Sequence, residues 1–444
     1  MDTDTNQPKF VVVGERGEGR FNRALVTSDL NNLAPRFGFA YRWREGTVFR
    51  GGFGLFYANT MNTGGGEFME TNPPSHVKTQ IGTDRLTPTI RVNVGPGPGA
   101  LSPQNSPALV PGSFEIDPPW PVASQWNFNI QKQLPSNVLW EIGYFGTKGT
   151  HIIRRYNLNY AVPGPGTPLS RRIWPTVQFP GTDHQVGLDF LHNFRNNSNS
   201  NYHAMQTKLE KRYGRGLSFL LSYTWSKAIG DYSFIPGEDR GIGANWGVQN
   251  ALDLAAERSL LNQHVAHRAV VSYLYDLPFG RGRTYGSSWG KAANALLGGW
   301  TIGGINSFIT GFPMNLSVRG NPSGTGGFNL DRPNVVGEWR LPRSERSPDR
   351  WFNTDAFEPN ALYTFGNAGR NILEAPGTIK FDLALHKNFQ IKESMRMQFR
   401  AEAFNAFNSP IFDGPNLQVG NRNLGVISNA APGRVMQMGF KFIF

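Results

Sequence analysis

Apolar and polar side chains alternate strictly over stretches of about ten residues, many times along the chain. In Phe37–Arg44, Phe37, Phe39, Tyr41 and Trp43 share one face, and Gly38, Ala40, Arg42 and Arg44 the other. After the turn Glu45-Gly46, Thr47–Ala58 sets Phe49, Phe53, Leu55 and Tyr57 against Arg50, Gly52 and Gly54. Gln125–Leu134 sets Trp126, Phe128 and Ile130 against Gln125, Asn127, Asn129 and Gln131. Beyond Pro135-Ser136-Asn137, Val138, Trp140, Ile142 and Tyr144 oppose Glu141 and Gly143. Tyr202–Arg212 and Leu217–Lys227 flank Tyr213–Gly216. In the second of them, Leu217, Phe219, Leu221, Tyr223 and Trp225 oppose Ser218, Ser222, Thr224 and Ser226. His264–Tyr275 and Trp300–Ile309 alternate more weakly. Thr378–Phe389 and Met395–Ala406 flank Gln390–Ser394, and Arg434–Phe444 aligns Met436, Met438, Phe440, Phe442 and Phe444. Since period two is the signature of a strand with two unlike faces, the chain reads as all-β with about eleven strands.

The connections alternate as well. One side has mostly turns of about two to five residues. The other carries Asn59–Ser124, Lys148–Asn201, Ala228–Gln263, Thr310–Gly377 and Asn408–Gly433, rich in Gly, Pro and Asn. On the short side Asp276–Gly299 is longer, with a small helix expected at Lys291–Leu297. Soluble domains seldom carry so many long connections, whereas transmembrane barrels pair short periplasmic turns with long extracellular loops. The expected fold is therefore an antiparallel transmembrane β-barrel, apolar face to lipid and polar face to a lumen. Tyr57, Trp126, Tyr144, Tyr223 and Trp225 lie toward the long-loop ends, and Tyr41, Trp43 and Trp140 toward the short turns. That is the arrangement of two interfacial aromatic girdles.

Composition narrows the choice. With no Cys among 444 residues, disulfides and Cys-ligated metal are excluded. Charged residues are 17% of the chain, below the ~25% of soluble domains, while Phe alone numbers 32. No apolar run approaches the ~18 residues of a membrane helix. Residues 1–30 lack the charged start and apolar core of a signal peptide. Eleven strands would put the two ends of the barrel wall on opposite sides of the membrane, so a fragment of a larger barrel is expected. Phe10–Val13 is the one spare strand candidate, short and non-alternating.

Several segments resemble the Oar-like β-barrel of TonB-dependent transporters. They are Asn31–Tyr41 (NNLAPRFGFAY), Arg50–Tyr57 (RGGFGLFY), Gly143–His151 (GYFGTKGTH), Leu221–Lys227 (LSYTWSK), Phe365–Asn371 (FGNAGRN) and Phe399–Asn408 (FRAEAFNAFN). The resemblance implies a barrel of about twenty-two strands, of which this chain supplies the C-terminal half. It divides the chain into a loop remnant at 1–32 and barrel at 33–444. It implies import of an unidentified ligand across the outer membrane of a Gram-negative-type bacterium. It makes lipid, lipopolysaccharide and the barrel-assembly machinery partners, with Phe440, Phe442 and Phe444 as the assembly signal. Contact with the TonB complex would run only through an N-terminal plug, which this sequence does not show. A plugless porin-like channel and a surface adhesion or interaction protein are the alternatives.

The candidate chemistry is mostly charge. Arg36, Arg42, Arg44 and Arg50 would line one lumen patch, and Arg396, Arg400 and Glu402 another. Each patch would serve either wall pairing or attraction of an anionic ligand. The net charge of +12 permits a nucleic-acid partner, but the aromatics lie on the face opposite many arginines, so none is expected. His264 and His267, three apart on a strand, would point to opposite faces and could not share a metal. His184, His192 and His203, with Asp183 and Asp189, read as a solvated polar loop, as does Asn193–Asn201. Gly95–Gly99 and Gly164–Gly166 are stiff turns without the context of a phosphate loop. No nucleophile elbow or catalytic set is present in context, so no enzyme, cofactor or metal is expected.

Overall fold

The computed structural model describes residues 8, 30–58, 72–73, 108–114, 118–232, 247–326, 331–392 and 395–444. Eleven long strands dominate. They are β1 (Arg36–Arg44), β2 (Thr47–Tyr57), β3 (Val122–Leu134), β4 (Val138–Asn157), β5 (His192–Gly214) and β6 (Leu217–Gly230). They continue with β7 (His267–Asp276), β8 (Trp300–Ile309), β9 (Thr378–Lys392), β10 (Met395–Phe404) and β11 (Val435–Ile443). They lie side by side in chain order in one sheet. Each of the ten neighbouring pairs is antiparallel. One helix, α1 (Lys291–Leu297), stands among the described residues, where the sequence placed it.

Turn chemistry and packing hold the register. At the β5–β6 hairpin, Gly214 pairs with Leu217 across Arg215-Gly216, whose φ angles are 54° and 79°. Two positive φ values in a two-residue loop match the twist of the strands. On the aromatic face, a ring repeatedly lies over a glycine of the next strand. A Cβ on Gly51 would stand 2.5 Å from the Phe39 ring, one on Gly146 2.3 Å from Trp126, and one on Gly304 2.7 Å from Tyr273. Each glycine is the floor on which a large side chain rests.

Three expectations are corrected. Asn193–Asn201 is strand, not loop: β4 and β5 pair as far as Asn157 and His192. Backbone ladders do not need apolar side chains, and here the polar ones find partners. Arg154 Nε donates to Ser198 Oγ at 2.6 Å, Asn193 Nδ2 to Ser113 Oγ at 2.8 Å and Asn196 Nδ2 to the Pro119 carbonyl at 2.8 Å. The His/Asp group is only in part a solvated loop: Asp183 is exposed and His184 lies beside it outside any strand. His192 is buried, His203 sits within β5, and Asp189 pairs with the buried Arg172. Finally, β7 starts at His267 rather than His264, because the His264 N–H turns back to the Leu261 carbonyl at 2.9 Å.

The long connections carry small cores of their own. Met314, Leu316, Val318, Phe352, Phe357, Leu373 and Val419 form one, drawn from the connections after β8 and β10. Leu109, from the connection between β2 and β3, forms another with Trp174, Val177, Phe179, Val186 and Leu188 from the one after β4. The expected loop remnant at 1–32 lies outside the described residues except for positions 8 and 30–32, as do Phe10–Val13 and Gly95–Gly99.

Candidate functional site

The pleat sorts every strand into a polar and an aromatic face, and the register carries both faces across the sheet. On the polar face of β1 and β2, Arg36 pairs with Gly54, Ala40 with Arg50 and Arg42 with Val48. Arg42 and Arg50 are therefore diagonal neighbours. Arg36 stacks on Phe56 of the same face, 4.7 Å from its ring centroid. Arg44 departs from this row. A register shift between Arg42 and Arg44 pairs it with Thr47, and its guanidinium stacks on Trp43 at 4.3 Å. No carboxylate shares the polar face of β1, β2 and β3, where the other residues are Gly, Ala, Val, Phe, Asn and Gln.

The opposite end of the sheet is balanced. Arg400 pairs across with His386 and donates to Gln398 Oε1 at 2.6 Å, and Glu402 accepts from Gln437. Arg396 lies between Gln390 and Ile443. In the middle, Lys208 meets Glu210 at 2.9 Å and pairs across with Glu141, and Lys380 meets Asp382 at 2.8 Å. The two sequence-predicted arginine groups are thus unlike: one sits among polar and acidic partners, the other faces no acid.

The aromatic face holds all eight predicted girdle residues. Trp126 is partnered by Phe53, Tyr144 by Phe128, Tyr223 by Thr207, Trp225 by Met205 and Tyr57 by Val122. Toward the short turns, Tyr41 pairs with Phe49, Trp43 lies 5.9 Å from the Phe49 ring, and Trp140 Nε1 donates to Thr207 Oγ1 at 3.0 Å. Sequence reasoning missed Trp300, which meets Phe399 edge-on at 6.0 Å and carries Lys387 Nζ 5.0 Å from its ring. Lys387 is buried and donates to the Gly298 carbonyl just past α1. On β11, Met436, Met438, Phe440 and Phe442 form an exposed apolar stripe, with Phe444 just beyond the strand.

Above the long-loop ends lies a buried charge network that the sequence did not announce. Arg332 Nη1 donates to both carboxylate oxygens of Glu257, at 2.9 and 3.0 Å. Arg370 donates to the carbonyls of Glu257, Tyr232 and Gly230 at 3.0, 2.7 and 3.0 Å. Burial pushes the Arg370 guanidinium down to about 10, opposed by the Glu257 charge, so it stays protonated at neutral pH. Close by, Arg154 meets Asp231 at 2.7 Å. The network ties the connection after β8 to the one after β6. A cleft of about 260 Å³ beside it is lined by His264, Trp339, Arg346, Trp351 and Glu374. The two indole N–H groups donate to the Ile372 and Glu374 carbonyls at 3.3 and 2.7 Å, which fixes the rings as walls.

A family model described as an outer membrane beta barrel domain matches residues 1–437. No sequence among curated proteins matches the chain. Among solved structures, the outer membrane transporter YddB from Escherichia coli is similar at a TM-score of 0.45 and 11% identity, over 93% of this chain and 40% of that one. The FrpB iron transporter from Neisseria meningitidis (F5-1 variant) is similar at 0.39 and 12%, over 93% and 39%. The ferripyoverdine receptor of the outer membrane of Pseudomonas aeruginosa is similar at 0.38 and 9%, over 92% and 33%. The chain thus spans 33% to 40% of the length of these three proteins.

Proposed function

The chain belongs to the outer membrane β-barrel domain family, and on that premise we propose that it forms half the wall of a TonB-dependent receptor that imports an unidentified ligand. The observation that carries this reading is the parity of the sheet. Ten antiparallel pairings make β1 and β11 run in the same direction, and both are edges of the sheet. Lipid does not tolerate unpaired edges, so the wall must close. A second copy in the same membrane orientation would bring parallel edges together. Closure by antiparallel pairing therefore calls for an odd number of further strands outside the described residues. That requirement suits a half-wall of about eleven strands in a barrel of about twenty-two. The Oar-like segments support the same assignment.

In this reading the long connections face the outside and the short turns the periplasm. The polar face lines the lumen. Arg36, Arg42 and Arg50, with no acid beside them on β1 to β3, draw an anionic ligand or an acidic surface of a plug. Phe440 and Phe442 present the apolar stripe to the assembly machinery. The chain does no covalent chemistry itself. Energy from the TonB complex acts through a plug contributed by sequence beyond this chain.

Two expressions test the proposal. The chain alone, given a secretion signal, should yield no heat-modifiable, protease-resistant band in outer membranes; such a band would refute the half-wall reading. Joined to further strands and a plug, it should support uptake that stops when TonB is deleted. Uptake that continues would favour a porin-like channel, and ligand binding without uptake an adhesion protein.

A further inference from the structure

Among the described residues, the outward face of the eleven strands bears no carboxylate, and as far as the β4–β5 register shifts beyond Gly149 its cations gather at two levels. Lys132, Lys211 and Lys387 stand toward the short turns. Lys148, His203, Lys227 and His267 stand at the long-loop end, on the four consecutive strands β4 to β7. His203 is the register partner of Lys227. Lys148 pairs with Asn201, two residues from His203, and His267 pairs with Trp225, two residues from Lys227. Neighbours at this spacing lie within about 8 Å, so the four form one patch.

Both histidines are built the same way. Tyr144 Oη lies 2.7 Å from His203 Nδ1, with ring centroids 6.1 Å apart and planes at 17°. Tyr223 Oη lies 2.9 Å from His267 Nδ1, with centroids 6.2 Å apart and planes at 15°. A phenol donating to Nδ1 puts the imidazole proton on Nε2, away from the tyrosine. Each tyrosine thus holds its imidazole against the aromatic belt with Nε2 turned away from it, a donor when the phenol donates to Nδ1. His203, Lys227 and His267 are exposed. Within β1–β3 and β8–β11 no outward cation stands at this level. Snorkelling by itself would not confine lysines to four adjacent strands.

We propose that this patch is a binding site for the phosphates of a glycolipid of the outer leaflet, that is, lipopolysaccharide. Two ammonium groups, one of them donating to Asn199 Oδ1 at 3.2 Å, and two imidazoles on a strand face without carboxylates suit a phosphomonoester, while the tyrosines and Trp126 beneath meet acyl chains. The proposal rests on the long connections facing outward.

The test is native mass spectrometry of the whole protein extracted from outer membranes in mild detergent, counting retained lipopolysaccharide. Lys148→Gln with Lys227→Gln should lose most of it, while Lys132→Gln with Lys211→Gln should retain it. Equal retention by all three proteins, or equal loss from both variants, overturns the site. If the first pair fails to assemble, Lys227→Gln and His203→Gln singly must each reduce retention, or the proposal fails. Saturable binding of inorganic phosphate alone at the patch would make the ligand a soluble anion and also overturn it. A heat-modifiable band checks the premise separately: its absence from outer membranes of cells making the whole protein sinks the spanning reading itself.

Discussion

Arg332 and Glu257, 75 residues apart in the chain, meet in a buried ion pair at 2.9 Å. The side chains of Arg332 and Glu257 are 4% and 3% exposed, so neither charge is shared with water. Removing one partner from such a pair costs about 3–5 kcal/mol, because the other is left charged and unsolvated. Glu257→Gln should therefore loosen the connection between β8 and β9 and leave the strands in place. Limited proteolysis from outside the cell should cut the variant within 310–377 while its heat-modifiable band persists. A variant as resistant as the wild type would show that the pair is dispensable.

Gly146 lies under Trp126, whose Cε2 would be 2.3 Å from an added Cβ. Indole bulk cannot yield by a few tenths of an ångström there. Gly146→Ala should destabilise the folded wall by about 1–3 kcal/mol through overpacking. The urea midpoint of the assembled barrel measures this. The double change with Trp126→Leu should recover part of the loss, which separates packing from backbone effects.

His264 accepts the Ala228 N–H at Nδ1, at 3.2 Å, so its bound form is neutral. Burial first, and the Lys227 charge second, hold its pKa below the ordinary 6.5. In the unfolded chain the same imidazole titrates near about 6.5. Between the two values the unfolded state binds more protons, so stability falls as pH falls. The contribution of His264 is complete above about 6.5 and is lost progressively below it, toward its depressed folded value. Hydrogen exchange of the Ala228 segment, corrected for intrinsic rates, should accelerate from pH 7.5 to 5.5. In His264→Gln, whose side-chain oxygen accepts without titrating, the acceleration should shrink.

Arg42 and Arg50 are diagonal neighbours on a part of the polar face, that of β1 to β3, without carboxylates. If they gather anions, Arg42→Glu with Arg50→Glu should slow capture of an anionic ligand roughly tenfold or more at low salt. The effect should fade at high salt, where screening acts within ~3 Å at 1 M. Arg400→Glu, among polar and acidic partners, should change capture far less. Unchanged uptake in the first variant would assign Arg42 and Arg50 to the wall alone.

Much of the scaffold was legible in the residues alone. Alternation in Phe37–Trp43 or Leu217–Trp225 has one solution, since a strand exposes successive side chains to opposite faces. The hairpin at Arg215-Gly216 and the short helix Lys291–Leu297 are local as well. What the alternation could not show is where strands stop once their side chains turn polar. Asn193–Asn201 has the composition of a loop, yet it pairs because β4 continues beside it and supplies a ladder. The shift at Arg44 was equally hidden, for a bulge is a relation between two strands rather than a property of one.

The sequence by itself determined the strands, their two faces, their count and the tight turns, because each depends on residues within a few positions of one another. Only the tertiary structure decided the rest. Glu257 meets Arg332 across 75 residues, Arg370 reaches Gly230 across 140, and His203 reaches Tyr144 across 59. These contacts depend on register and on how the long connections fold back, and no local pattern encodes which distant partner a charge or a ring will find.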